Sequence, residues 1–237
     1  YYSMLLVYDS GSEDQWIRCA SVVSKNQKIK FMIAMRPYAL SPEYFAKMTI
    51  AFNNIVPEKL IFNIVNGWFQ EQEDTLNNLL LIKEQIKTAK GRSDYTNLWL
   101  KKIKDIKILK KMPYIIMPVQ SDEAIENAIK YANCILTMYE FFIKNPKFYL
   151  IPNKDIMVCV IPVIRNNKKE IEEFYSSISN PKNESIICGD ENYIIEKFIN
   201  LKKQGVTDIM IGFHTEDLKS KRVHDLLFKI NHEKINI

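Results

Sequence analysis

The sequence predicts a parallel α/β architecture, either a doubly wound sheet, though without the usual glycine-rich first turn, or the type in which eight β/α units close into a barrel, here with one unit fewer. Three observations carry this reading. Apolar runs of strand length alternate with segments of helical period along the chain. The runs are continuous, as expected of strands buried on both faces. The 237 residues fall just short of the about 250 usual for such a barrel. The chain reads as one domain, 1–237.

The strand-like runs are, in order, Met4–Tyr8, Lys30–Met35, Leu60–Val65, Tyr114–Met117, Cys134–Met138, Ile156–Ile164 and Asp208–Gly212. A barrel needs one more, because an unclosed one leaves edge strands open. Since Tyr1 abuts a strand, the first β/α unit is expected to be the missing one, some 35 residues by the spacing of the others.

Several helix starts are legible. Ser12-Glu13-Asp14-Gln15 has the form of a capping box, followed by Trp16, Ile17, Ala20 and Val23 on one face. Ser41-Pro42-Glu43 sets a capping serine before a proline, ahead of Phe45, Met48 and Phe52. Ser121-Asp122-Glu123 places two acids in a first turn, and Ile125, Ala128, Ile129 and Ala132 form the stripe behind them. Leu76 to Ala89, Tyr95 to Ile106, Asn192 to Lys203 and Asp217 to Ile230 also read as helical. Asn180 to Asn183 reads as a loop.

Composition excludes several function classes. Six glycines in 237 residues are roughly 2.5%, against about 7% on average, and neither GxGxxG nor GxxxxGK[ST] occurs. The standard dinucleotide and P-loop readings therefore fall. A diffuse net charge of +5, with no basic stripe interleaved with aromatics, gives no nucleic-acid partner. Cys19, Cys134, Cys159 and Cys188 are far apart in apolar neighbourhoods, which reads as buried thiols in a reducing, cytoplasmic compartment. His214, His224 and His232 show no metal-ligand spacing. No apolar run approaches 18 residues and no signal peptide is visible, so no membrane partner is expected.

In a parallel barrel the chemistry sits at the carboxyl ends of the strands. Asn63, inside Phe62-Asn63-Ile64-Val65-Asn66-Gly67, is a polar amide in an apolar strand and must be hydrogen-bonded if buried, to a ligand or to a neighbouring strand. Arg36 is either an anion contact or a strand-to-helix ion pair. His214, just past the last strand, is the histidine placed for acid–base work. Ser12 is weighed as a nucleophile and as a helix cap, with no histidine placed to activate it.

The order of these pieces resembles the bacterial luciferase-like flavin monooxygenases, among them the alkanesulfonate monooxygenases. Ser10 to Trp16, Lys30 to Pro37 and Ser41-Pro42 track that family's second and third strands. Phe62 to Gly67 is similar to its Phe-Asn-(Leu/Val)-Val-Thr-Gly strand. Ser121-Asp122, Cys134 to Met138, Gly189-Asp190 and Gly205 to Asp208 continue the series. The resemblance implies a TIM (β/α)8-type barrel with shortened insertion loops. It also implies reduced FMN (FMNH2) as cofactor, O2 as co-substrate, a small-molecule substrate, a separate NAD(P)H:flavin reductase, and a homo-oligomer or heterodimer in a bacterial cytoplasm. It places Asn63, Val65 and Asn66 along the flavin ring and Tyr95 and Ser121 at its phosphate. Ser12 falls where the family has a cysteine, and His214 near a late tyrosine, which makes both catalytic candidates. Cys159 and Ile161 replace the arginine and histidine of sulfonate chemistry, Pro118-Val119 replaces a glycine pair, and Gln120 replaces the first phosphate serine. The mobile insertion shrinks to about Ser177 to Ser185. A monooxygenase acting on another substrate, a non-catalytic flavin-binding partner subunit, and a deazaflavin-dependent reductase all remain open at this point.

Overall fold

The computed structural model describes residues 4–7, 14–23, 29–66, 86–178, 185–212 and 221–232. The chain divides into two compact units, Tyr2–Cys134 and Ile135–Ile237.

The first unit holds β1 (Met4–Val7), α1 (Gln15–Val23), β2 (Lys30–Met35), α2 (Pro42–Ile55), β3 (Leu60–Ile64), α3 (Ala89–Asp105), β4 (Tyr114–Val119) and α4 (Asp122–Tyr131). Its strands pair in parallel in sequence order, Phe31 beside Leu60, Ala34 beside Asn63, and Asn63 beside Ile116. Helices cover one face. Phe62 of β3 meets Phe45 of α2 at 4.7 Å and Trp16 of α1 at 5.4 Å between ring centroids, and Phe45 meets Trp99 of α3 at 5.0 Å. Such pairs add about 0.5–1.5 kcal/mol each beyond their burial. The Trp99 indole N–H donates to the Leu40 carbonyl at 2.7 Å, so its one polar atom is satisfied. Because side chains alternate along a strand, the Phe62 contacts turn Ile61 and Asn63 to the opposite face.

The second unit holds β5 (Cys134–Met138), α5 (Tyr139–Lys144), β6 (Asp155–Ile164), α6 (Lys168–Ser177), β7 (Ile186–Gly189), α7 (Glu191–Lys203), β8 (Asp208–Ile211) and α8 (Lys221–His232). β5, β7 and β8 all bond to β6. The Ile161 and Arg165 amides donate to the Ser185 and Gly189 carbonyls, whereas the Val160 and Ile156 carbonyls accept from Gly212 and Thr207. Successive residues of an extended strand turn their polar groups to opposite edges, so β7 and β8 occupy opposite edges of β6.

The expected count of seven strands is corrected by β7, which gives eight among the described residues. Its four residues are defined by their parallel pairing with Ile161–Ile164, a partner distant in the sequence. α6 is a further addition to the expected elements, and Asn167-Lys168-Lys169-Glu170 marks its start: Asn167 Oδ1 accepts from the Glu170 amide at 3.0 Å, and Glu170 reaches back to the Asn166 amide at 2.8 Å. At α1 the cap is Asp14, whose carboxylate accepts from the Trp16 and Ile17 amides, while Ser12 lies outside the described residues. The buried stripe of α1 is Trp16, Cys19 and Val23; Ile17, expected inside, is 72% exposed. A step of one residue turns a helix by about 100°, which carries Ile17 off the face that Trp16 buries. Likewise Ile129 of α4 is exposed while Ile125 and Ala128 are buried. The expected helix from Leu76 and the loop at Asn180 to Asn183 fall largely or wholly outside the described residues.

Two glycines are required where they stand. Gly205 ends α7 at φ +89°, a left-handed conformation that side chains disfavour. Gly189 lies under the Tyr193 ring, where an added Cβ would come within 2.5 Å of the ring edge.

Candidate functional site

Asn63 sits in the middle of β3, on the face turned away from α1 and α2, and is 5% exposed. Its Oδ1 is buried with no hydrogen-bond partner among the described residues. Burying an unpaired amide oxygen costs about 1–3 kcal/mol, so this acceptor either stores that cost or waits for a donor. Its neighbours on the sheet are Ala34, short enough to leave room beside the amide, and Ile116. Met32, Ile61 and Ile116 bury the same face. Val65, two residues on, donates its backbone N–H to the Met35 carbonyl at 2.9 Å.

Asn66 is held differently. Its Oδ1 accepts from the Thr96 hydroxyl of α3 at 2.8 Å, which ties the end of β3 to the helix layer. Asn97 and Asn127 join α3 to α4, the Asn97 amide donating to Asn127 Oδ1 at 3.0 Å and the Asn127 amide to Ser93 Oγ at 3.1 Å. No sequence pattern had singled out Ser93, Thr96, Asn97 or Asn127. Ser93 and Asn97 lie one helical turn apart on α3, a signal that gains meaning only once α4 is placed alongside.

Ser121 caps α4, its Oγ accepting from the Ala124 amide at 3.2 Å, with Asp122 and Glu123 in the same turn. Lys90, in the first turn of α3, is held in its charged form chiefly by Asp94 at 2.8 Å, with a smaller contribution from Glu123. Tyr95 is half-buried; burial first, and then the Glu43 carboxylate of α2, push its hydroxyl above the ordinary tyrosine range. Tyr95 and Asn97 are two positions apart on α3, about 200° around the helix, so Tyr95 turns toward α2 while Asn97 turns toward α4. Tyr95 and Ser121 are the two residues that the resemblance places at a phosphate, and no hydrogen bond joins them. Ser12 and His214, the two catalytic candidates, lie outside the described residues.

In the second unit, Cys159 of β6 is buried, and burial pushes its thiol up while a hydrogen bond with Ser185 opposes the shift. Ser185 in turn donates to Met138 Sδ at 2.9 Å. Ile161 is partly buried beside Val163, Phe174 and Cys188. Arg165 stacks over the Phe174 ring at 5.1 Å and donates to the Ile164 carbonyl at 2.9 Å. All four cysteines are buried thiols, none of them in a disulfide. Among the described residues no cluster of ligating side chains has metal-site geometry, and no helix is long and apolar enough to cross a membrane.

No protein-family model matches the chain. Several solved structures do. An EDTA monooxygenase from Chelativorans sp. BNC1 matches with a TM-score of 0.73 at 9% identity, covering 93% of this chain and 77% of that one. A riboflavin lyase with modified FMN and its substrate riboflavin matches at 0.70 and 8%, covering 93% and 74%. A coenzyme F420 dependent tetrahydromethanopterin reductase from Methanopyrus kandleri matches at 0.63 and 12%, covering 95% and 89%. At these identities the likeness is one of fold: the chain has the α/β fold these proteins share.

Proposed function

We propose that the chain is a flavin-dependent monooxygenase of the luciferase-like type. In this reading it takes reduced FMN from a separate NAD(P)H:flavin reductase and uses O2 to oxidise a small organic substrate. The single observation that carries the reading is the buried, unpartnered Oδ1 of Asn63 on a strand whose sequence resembles the family's flavin strand. An acceptor in an apolar surround fits a planar ring that presents an N–H, and Ala34 beside it leaves space for that ring. When bound, reduced FMN supplies two electrons; one oxygen atom of O2 goes to the substrate and the other leaves as water.

The chain's own part is binding, orientation and dryness. Asn63 Oδ1 would accept from the ring N–H, while Met32, Ile61 and Ile116, all nearly inaccessible, keep water from that face. Val65 would contact the ring, with Asn66 at its rim. Ser121, whose hydroxyl proton is not used in the cap, would donate to the phosphate beside the α4 amides. Cys159 and Ile161 bring neither charge nor an acid–base group at neutral pH, which supports an apolar substrate over a simple alkanesulfonate. The same absence favours, as a second reading, a partner subunit that holds flavin without turnover.

The test is purified full-length chain titrated with FMN, FMNH2 and F420, followed by aerobic assay with a flavin reductase. Micromolar flavin binding with NAD(P)H-driven substrate oxidation supports the monooxygenase. Flavin binding without oxidation supports the partner subunit, preferential F420 binding a deazaflavin enzyme, and absence of binding removes all three.

A further inference from the structure

At the carboxyl ends of β3 and β4, α3 and α4 enclose a cleft of about 10 Å³, lined by Asn66, Ser93, Thr96, Asn97 and Asn127 over a floor that includes Met117. Its polar lining is three amides and two hydroxyls with no charged side chain. Most of these groups are committed to one another. Thr96 donates to Asn66 Oδ1, and the relay runs from Asn97 Nδ2 to Asn127 Oδ1 and from Asn127 Nδ2 to Ser93 Oγ. The relay leaves over one buried atom, Asn97 Oδ1, which no described residue reaches. Turning the Asn97 amide around does not resolve this, because two carbonyl oxygens would then face each other across the bond to Asn127. Turning both asparagine amides together would satisfy Asn97 Oδ1 but leave the Asn97 N–H group in its place, so one polar atom of Asn97 is left over in either direction.

We propose that this cleft is a built site for one water molecule, which donates to Asn97 Oδ1 and completes the link between α3, α4 and the end of β3. A water needs about 10–15 Å³ of such space, so the cleft takes one and nothing larger. A buried water makes about three hydrogen bonds; Asn66 Oδ1 lines the same cleft with a lone pair in reserve for the water's second hydrogen, and Ser93, whose Oγ accepts from Asn127, keeps its hydroxyl proton to donate to the water oxygen. With the water in place, Ser93 is the accepting end of the relay and Asn66 is pinned from two sides.

A high-resolution crystal structure of the full chain tests this. One ordered water about 2.7–3.2 Å from Asn97 Oδ1 is expected. A dry cleft, or Asn97 Oδ1 held by a protein donor, overturns the proposal. In solution, water-to-protein cross-relaxation in the NMR spectrum should show a long-lived water beside Thr96 and the Asn97 amide. It should vanish in Asn97→Leu, which removes the acceptor. Absence of that water from the unaltered chain, or its survival in Asn97→Leu, overturns the site.

Discussion

Asn63 of β3 stands directly opposite Ala34 of β2, and the alanine methyl offers nothing to the buried amide oxygen beside it. A folding criterion alone would place leucine at this position. Asn63→Leu is therefore expected to raise stability by about 1 kcal/mol, since it removes an unsatisfied polar atom from an apolar surround. The same change should weaken FMN binding at least tenfold. Urea midpoints and fluorescence titration read the two effects separately. Loss of stability together with unchanged flavin affinity would mean that the amide serves the fold instead.

Thr49 and Thr96 are both about 1% exposed on helices of the same unit, yet only one hydroxyl is employed. Thr96 donates to Asn66 at 2.8 Å, whereas Thr49 Oγ1 has no partner among the described residues. Valine has the same shape without the hydroxyl. Thr49→Val should stabilise by about 1 kcal/mol, and Thr96→Val should cost about 1 kcal/mol by stranding Asn66 Oδ1. Equal effects in chemical denaturation would contradict the assigned hydrogen bonds.

What the sequence made legible follows from the range of the interactions involved. Ser41, Ser121 and the apolar run Lys30–Met35 act within a few residues of themselves, and each forms the cap or strand expected of it. Asn63 was readable because a polar residue in a buried strand is an anomaly visible without neighbours. β7 was not, because Ile186–Gly189 is defined by its pairing with Ile161–Ile164, some 25 residues earlier in the chain. The Ser93–Asn127–Asn97 relay was hidden for the same reason: its partners are 30 or more residues apart, and each asparagine alone reads as ordinary helix surface.

Ser121 carries two roles that one substitution separates. Its Oγ caps α4, so Ser121→Ala should cost about 1 kcal/mol of stability. If its hydroxyl also donates to the flavin phosphate, FMN affinity falls about fivefold while riboflavin, which lacks the phosphate, binds as before. That selective loss is the expected outcome, even though Asp122 and Glu123 in the same turn oppose an anion. A parallel change for both ligands, or none, removes Ser121 from the binding site and leaves it a cap.

Alkaline pH probes the core of the first unit. Cys19 is fully buried on α1, and burial pushes its thiol from 9.0 up to about 12. Below pH 9 both the folded and the unfolded chain keep this proton, and the group adds no pH dependence. Between about 9 and 12 the unfolded chain releases the proton while the folded chain retains it, so stability falls by about 1.4 kcal/mol per pH unit. Cys159 pulls in the same direction, less so because Ser185 bonds to it. The urea midpoint measured from pH 7 to pH 10.5 should therefore drop steeply above 9 and drop less in Cys19→Ala. Thiol reagents at pH 8 should leave all four cysteines unmodified in the folded chain and react once urea is added. Identical alkaline limbs for the two proteins would show that Cys19 ionises as readily folded as unfolded, and that the Trp16, Cys19 and Val23 face of α1 is open to water.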